Sequence, residues 1–134
     1  MKKVLALFCV IFSLCVGTAN AKVTEIEDIW DIKYNNRPIV VEVYATWCAP
    51  CRMYEPIFNR VASEYSDRVD FYRMDVDGED AHNFVVIESV PTTVILWSPY
   101  VDGSVNKRLE SGTLNYSELK SYVEEALSKQ YKAH

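Results

Sequence analysis

No stretch of this sequence is apolar for long enough to span a bilayer comfortably. The longest run, Val4 to Val16, has 13 residues and is interrupted by Ser13, whereas a membrane-crossing helix needs about 20. No internal repeat, low-complexity tract or Gly/Ser-rich linker is present either, which argues against repeat arrays and tethered domains. A length of 134 residues suits a single core. Cysteine is scarce: there are four, of which Cys9 and Cys15 lie inside the apolar run. A secreted domain stapled for stability would carry several well-separated pairs.

The first residues have the form of an export signal. Met1-Lys2-Lys3 is a short basic start, the apolar run follows, and Gly17-Thr18-Ala19-Asn20-Ala21 ends in the small-residue pattern that a signal peptidase cuts. Residues 1–21 are therefore expected to be a signal peptide cleaved near Ala21, with residues 22–134 as the mature domain. Lipid attachment does not fit, because Phe8 and Leu14 precede the two cysteines of the run where a lipoprotein signal has a small residue. Cleavage removes Lys2 and Lys3 and no acid, so the formal net charge of −5 becomes −7. Such a balance favours solubility and gives no support for a nucleic-acid partner.

Along the mature chain, Thr24 is expected to cap a short helix carrying Ile26, Ile29 and Trp30, ending by Asn35-Asn36-Arg37-Pro38. Ile39 to Ala45 reads as a central strand covered on both faces, with Glu42 as its one charged residue. From Pro50, apolar residues recur at helical spacing through Tyr65, with Pro56 expected to kink the helix. A strand at Val69 to Met74, a short helix at Glu79 to Val86 and a strand at Thr92 to Trp97 follow. Ser98 to Gly103 reads as a hairpin loop leading to a strand at Val105 to Glu110. The last helix starts at Asn115, where Glu118 completes a capping-box pattern. Alternating strands and helices imply parallel pairing and the hairpin an antiparallel pair. The expected fold is α/β, a central mixed β-sheet with helices on both faces.

After cleavage the only cysteines left are Cys48 and Cys51. A bridge across two intervening residues restrains the unfolded chain little, so its purpose is chemical. With Pro50 opening the helix, Cys48 lies at a helix N-terminus, where unpaired N–H groups and the dipole favour thiolate over thiol. Cys48 is then the attacking sulfur. Cys51, about one turn on, can attack a mixed disulfide on Cys48 and expel the product. Other uses of such a pair fare worse: zinc needs four ligands, and His82 and His134 are not at finger spacing. Haem attachment needs His where Arg52 stands. A redox-inert bridge remains an alternative.

Trp47-Cys48-Ala49-Pro50-Cys51 after an apolar strand, and Val90-Pro91-Thr92 before another, resemble the thioredoxin family over nearly all of residues 23–128. The resemblance implies a thioredoxin-like fold and a thiol:disulfide oxidoreductase with no bound cofactor and no metal. It implies a cis bond at Pro91 facing the disulfide, a Val90 backbone that pairs with an extended client segment, and a flat apolar surface supplied by Trp47. Gly112 matches the glycine lining the substrate face, with a plain turn residue as the alternative. Glu42 stands where the family has a buried aspartate, implying a proton acceptor for Cys51, unless it is a strand-end residue facing solvent. Arg73 takes the place of a lysine beside that acid and, as a permanent cation, could hold Glu42 ionised. Ala49 replaces the usual glycine and, with Pro50, belongs to the dipeptide that tunes redox potential. The chain is also expected to start too late for a full first strand.

Taken together, these features imply dithiol/disulfide exchange on disulfide-bearing exported proteins in the periplasm or another secreted location. A reductase or general exchange factor supplied by a membrane electron donor or acceptor is the leading reading. The alternatives are a disulfide-forming oxidase or isomerase, and a non-catalytic binding or chaperone module on the same fold.

Overall fold

A computed structural model describes residues 22–33, 35–78, 86–98 and 106–130. The central strand forms where β-branched residues are densest: β2, Ile39–Tyr44, has every residue but Tyr44 buried. It pairs in parallel with β3, Asp70–Asp75, and antiparallel with β4, Thr92–Ser98. The outer strands are β1, Val23–Ile26, parallel to β3, and β5, Asn106–Ser111, antiparallel to β4. The mixed sheet therefore has the order β1-β3-β2-β4-β5.

The start of the domain differs from expectation. The segment from Thr24 is not a helix but the strand β1, with only a 3-10 turn at Ile29–Asp31 behind it. Val23, Thr24 and Ile26 are β-branched and meet an open edge of β3, which outweighs the Thr24 cap and apolar spacing that resembled a helix start. The turn is organised by Asp28 instead: its Oδ1 accepts from the Trp30 N–H at 2.9 Å. A first strand is thus present, four residues long and in register with β3 throughout. The chain reaches β2 through Asn35–Arg37, where Asn36 takes a left-handed φ of 64°, a conformation asparagine tolerates better than most residues.

Two long helices follow the expected segments. Helix α1, Ala49–Tyr65, carries Pro56 in its interior, and α2, Tyr116–Gln130, opens with a reciprocal cap. The Glu118 N–H donates to Asn115 Oδ1 at 2.9 Å and Glu118 Oε2 accepts from the Asn115 N–H at 2.8 Å. Both helices cover the same face of the sheet, closing a core in which Phe58 and Leu119 are fully buried against Val40 and Ile95. Phe58 meets Tyr54 and Phe71 edge to face, at 5.9 and 5.6 Å between ring centres. On the opposite face Ile39, Val41 and Met74 form a second core closed by Ile32 beyond the 3-10 turn and by Val76 and Ile87. The helix expected at 79–86, apart from Val86, and most of the hairpin loop at 98–103 lie outside the described residues, as do residues 1–21, where a signal peptide is expected.

Because side chains alternate along a strand, β2 sends Val40 and Glu42 toward the helices and Val41 and Val43 the other way. Glu42 thus lies under α1, one step closer than Val40 to the end of β2 that leads into the cysteine segment.

Candidate active site

The β2–α1 connection is a tight turn. The Cys48 N–H donates to the Ala45 carbonyl at 3.2 Å, and Cys48 is the N-cap of α1, extended at φ −90° and ψ 107°. Its sulfur accepts the otherwise orphaned Cys51 N–H at 3.2 Å, a polar contact that favours negative charge on that sulfur once the bridge is open. Cys48 and Cys51 form a disulfide with their Cα atoms 5.3 Å apart. The two residues retain only 4 % and 1 % of their surface, packed with Ala45, Tyr44, Val76 and Val90. Cys48 is thus nearly covered while the bridge is closed, less open than an attacking sulfur suggests from sequence, and Cys51 lies deeper. Ala49 and Pro50, between them, are exposed in the first turn.

Three further segments converge on the pair. The Val90-Pro91 peptide bond is cis, and Cys48 Sγ lies 3.7 Å from the Val90 carbonyl oxygen. Pro91 is buried, and its carbonyl accepts the Gly112 N–H at 2.8 Å, so this bond ties the end of β5 to the start of β4. Gly112 has a φ of +90°, which side-chain-bearing residues rarely adopt, while a Cβ placed there would meet nothing within 4 Å. Conformation therefore requires the glycine, and the surface beside it is open.

Trp47 is 68 % exposed beside Cys48. It is not free to swing: its indole N–H donates to Asp77 Oδ2 at 2.8 Å, and the Asp77 N–H donates to Asp75 Oδ1 at 3.0 Å. Sequence reasoning missed Asp77, since nothing in a pattern links residues 30 apart. Beyond Pro50, a groove of about 370 Å3 lies between Met53 and Ile57 of α1 and Thr113, Leu114 and Asn115 before α2. With exposed Met53 and Trp47, it gives this end of the molecule an apolar character.

Under α1 the sheet carries a polar layer. Glu42 is in register with Arg73 on one side and Thr93 on the other. It is fully buried, ruling out the solvent-facing alternative, and Arg73 Nε donates to its Oε2 at 3.0 Å. Its Oε1 has no partner among the described residues. Thr93 Oγ1 is hydrogen-bonded at 2.7 Å to the Tyr54 hydroxyl, from α1. Burial pushes the Glu42 carboxyl up to about 7 from an ordinary 4.5, against the opposing pull of Arg73. For Arg73, burial is the largest single influence and works against the charge, but the carboxylates of Glu42, Glu55 and Glu25 together outweigh it and leave the guanidinium pKa above its ordinary value. Arg73 is thus a permanent cation, yet the desolvation of Glu42 is the larger effect on that acid.

A sulfur pair at a helix N-terminus, a proline loop against it and a buried acid below together make a site for dithiol/disulfide exchange. Comparison with known proteins agrees with that class. The family model described as Thioredoxin matches residues 21–125. The thioredoxin of Borreliella burgdorferi is 40% identical over 75 residues, which is 55% of this chain and 61% of that protein. The thioredoxin of Mycobacterium tuberculosis is 35% identical over 94 residues, 69% of this chain and 77% of that protein. Among solved structures, chloroplastic thioredoxin z superposes with a TM-score of 0.66 at 28% identity, covering 80% of this chain and 96% of its own. The chain belongs to the thioredoxin family and is a thioredoxin-type thiol:disulfide oxidoreductase.

Proposed function

We propose that this chain exchanges disulfides with exported proteins outside the cytosol, in the periplasm of a bacterium, and that it works there mainly as a reductase or general exchange factor. The observation that carries the chemical part is the Cys48–Cys51 bridge at the N-terminus of α1 with the Val90 carbonyl 3.7 Å from Cys48 Sγ. The compartment is argued from the basic, apolar and small-residue order of residues 1–21, which we read as a cleaved signal with residues 22–134 as the working domain.

In the reduced protein, the Cys48 thiolate attacks one sulfur of a client disulfide. A Cys48–client bond forms and the client's other sulfur leaves as a thiolate, which takes a proton from solvent. Cys51 then attacks Cys48 Sγ, restoring the Cys48–Cys51 bridge and releasing the second client thiol. The client gains two electrons and this protein loses them. We assign Glu42 as acceptor of the Cys51 proton, because an acid that titrates near neutral pH is matched to that transfer. An extended client segment is read as pairing along the Val90 backbone, a form of strand addition, with Trp47 and the groove beside Pro50 receiving its apolar side chains. Ala49 and Pro50 set the potential of the pair. The oxidised protein is returned to the dithiol by a membrane electron donor, since cytosolic reductants do not reach that compartment.

Trapping tests the order of attack and the partners together. Cys51→Ala keeps the attacking sulfur and lacks the resolving one, so exported clients should accumulate in reductant-sensitive bands on a non-reducing gel. Cys48→Ala should trap nothing. Equal trapping by both variants would remove Cys48 as the nucleophile, and recovery of cytosolic clients alone would remove the proposed compartment.

A further inference from the structure

Arg73 does not serve Glu42 alone. While Nε holds Glu42 at 3.0 Å, Nη1 reaches Glu55 Oε1 at 3.4 Å, and the guanidinium stacks over the Tyr44 ring at 4.1 Å. Glu55 lies on α1 four residues after Cys51, one turn along the same helix face, and its side chain is 43% exposed while Arg73 keeps 16%. A guanidinium can grip one carboxylate with two parallel N–H bonds. Here it gives Glu42 one, and the second oxygen of that buried carboxylate is left without a partner among the described residues.

We propose that Glu55 is a positioning residue for Glu42: by engaging one arm of Arg73 and setting a second negative charge beside the pair, it limits how far the cation can hold Glu42 ionised. The inference rests on the reading of Glu42 as acceptor of the Cys51 proton, and it names what keeps that acid able to accept one beside a permanent cation. The groups that bear on Glu42 come from each neighbouring element. They are Arg73 from β3, Glu55 and the hydroxyl of Tyr54 from α1, Thr93 from β4, and Glu25 from β1, which accepts from the Tyr44 hydroxyl. Of the two other carboxylates, Glu55 contacts Arg73 directly. Its charge acts in the same direction as burial on Glu42, and that of Arg73 opposes both.

Glu55→Gln removes the charge and keeps the shape. In the full-length oxidised protein, the Glu42 carboxyl followed by carbon NMR should titrate about half a pH unit lower than in wild type, the size expected of one partly exposed charge. Glu55→Asp should recover part of that difference. In the reduced protein, the pH at which mixed-disulfide resolution reaches half its rate should move by a similar amount. A Glu42 midpoint that is the same in Glu55→Gln and wild type, or moves upward, would overturn the proposal. A lowered midpoint with an unmoved resolution profile would uphold the coupling and overturn only the acceptor role of Glu42, so the two failures are distinguishable.

Discussion

Replacing Glu42 by Gln should change how the stability of the oxidised protein depends on pH, because the fold holds this carboxyl far from its ordinary behaviour. Gln has the shape of the protonated acid and can still accept from Arg73 Nε, so the contact at 3.0 Å survives while the ionisation is removed. In the wild type the folded-state pKa of about 7 exceeds the unfolded value near 4.5. Between those values the native state binds more protons than the unfolded one, so stability falls as pH rises. The contribution is fully present below about 4.5 and lost above about 7. A tenfold difference in proton affinity between the folded and unfolded states is worth about 1.4 kcal/mol, so the whole contribution is about 3 kcal/mol. Urea unfolding of both proteins between pH 4 and 8, with the bridge intact so that no thiol titrates, isolates the effect as a difference of slopes. Glu42→Gln should gain about 3 kcal/mol on the wild type across that range. Parallel curves would show that Arg73 keeps Glu42 ionised after all, and a gain in the opposite direction would show that the ion pair outweighs burial.

In the reduced protein, Cys48 should alkylate with a midpoint below the free-thiol value of about 8.5, since its sulfur accepts the Cys51 N–H at a helix N-terminus. Two thiols titrating together near the free value, followed by mass spectrometry, would refute the division of labour between the cysteines. Leu119→Ala should cost about 2 to 5 kcal/mol in urea unfolding, because a fully buried side chain leaves a cavity between α1, α2 and the sheet. Asn115→Ala should cost about 1 kcal/mol, by the same measurement, through the lost cap.

Those side chains differ in how far the sequence alone announced them. The cysteine pair, the helix over it and the α2 cap were legible because each is encoded locally, in a CxxC spacing, a helical period or an Asn-x-x-Glu pattern. β1 was misread because a four-residue strand has little pattern of its own; it is decided by the open edge of β3, far along the chain, where Val23 meets Phe71. Glu42 stood out as a charge in an apolar strand, but its pairing with Arg73 is a matter of sheet register. Thr93 and Asp77 carried no local signal, because their partners Tyr54 and Trp47 come from distant segments. Glu55 could have been singled out by its spacing of four from Cys51, though only the fold shows that it shares Arg73.

Turnover of the Cys48–Cys51 pair decides between an exchange enzyme and a binding module. Reduction of insulin by dithiothreitol, followed by turbidity, should accelerate with catalytic amounts of the wild type and fall to the uncatalysed rate with Cys48→Ala. A wild-type protein that leaves the rate at background, with its two thiols shown to be free and its fold intact, would contradict an exchange activity and leave a binding module on this fold.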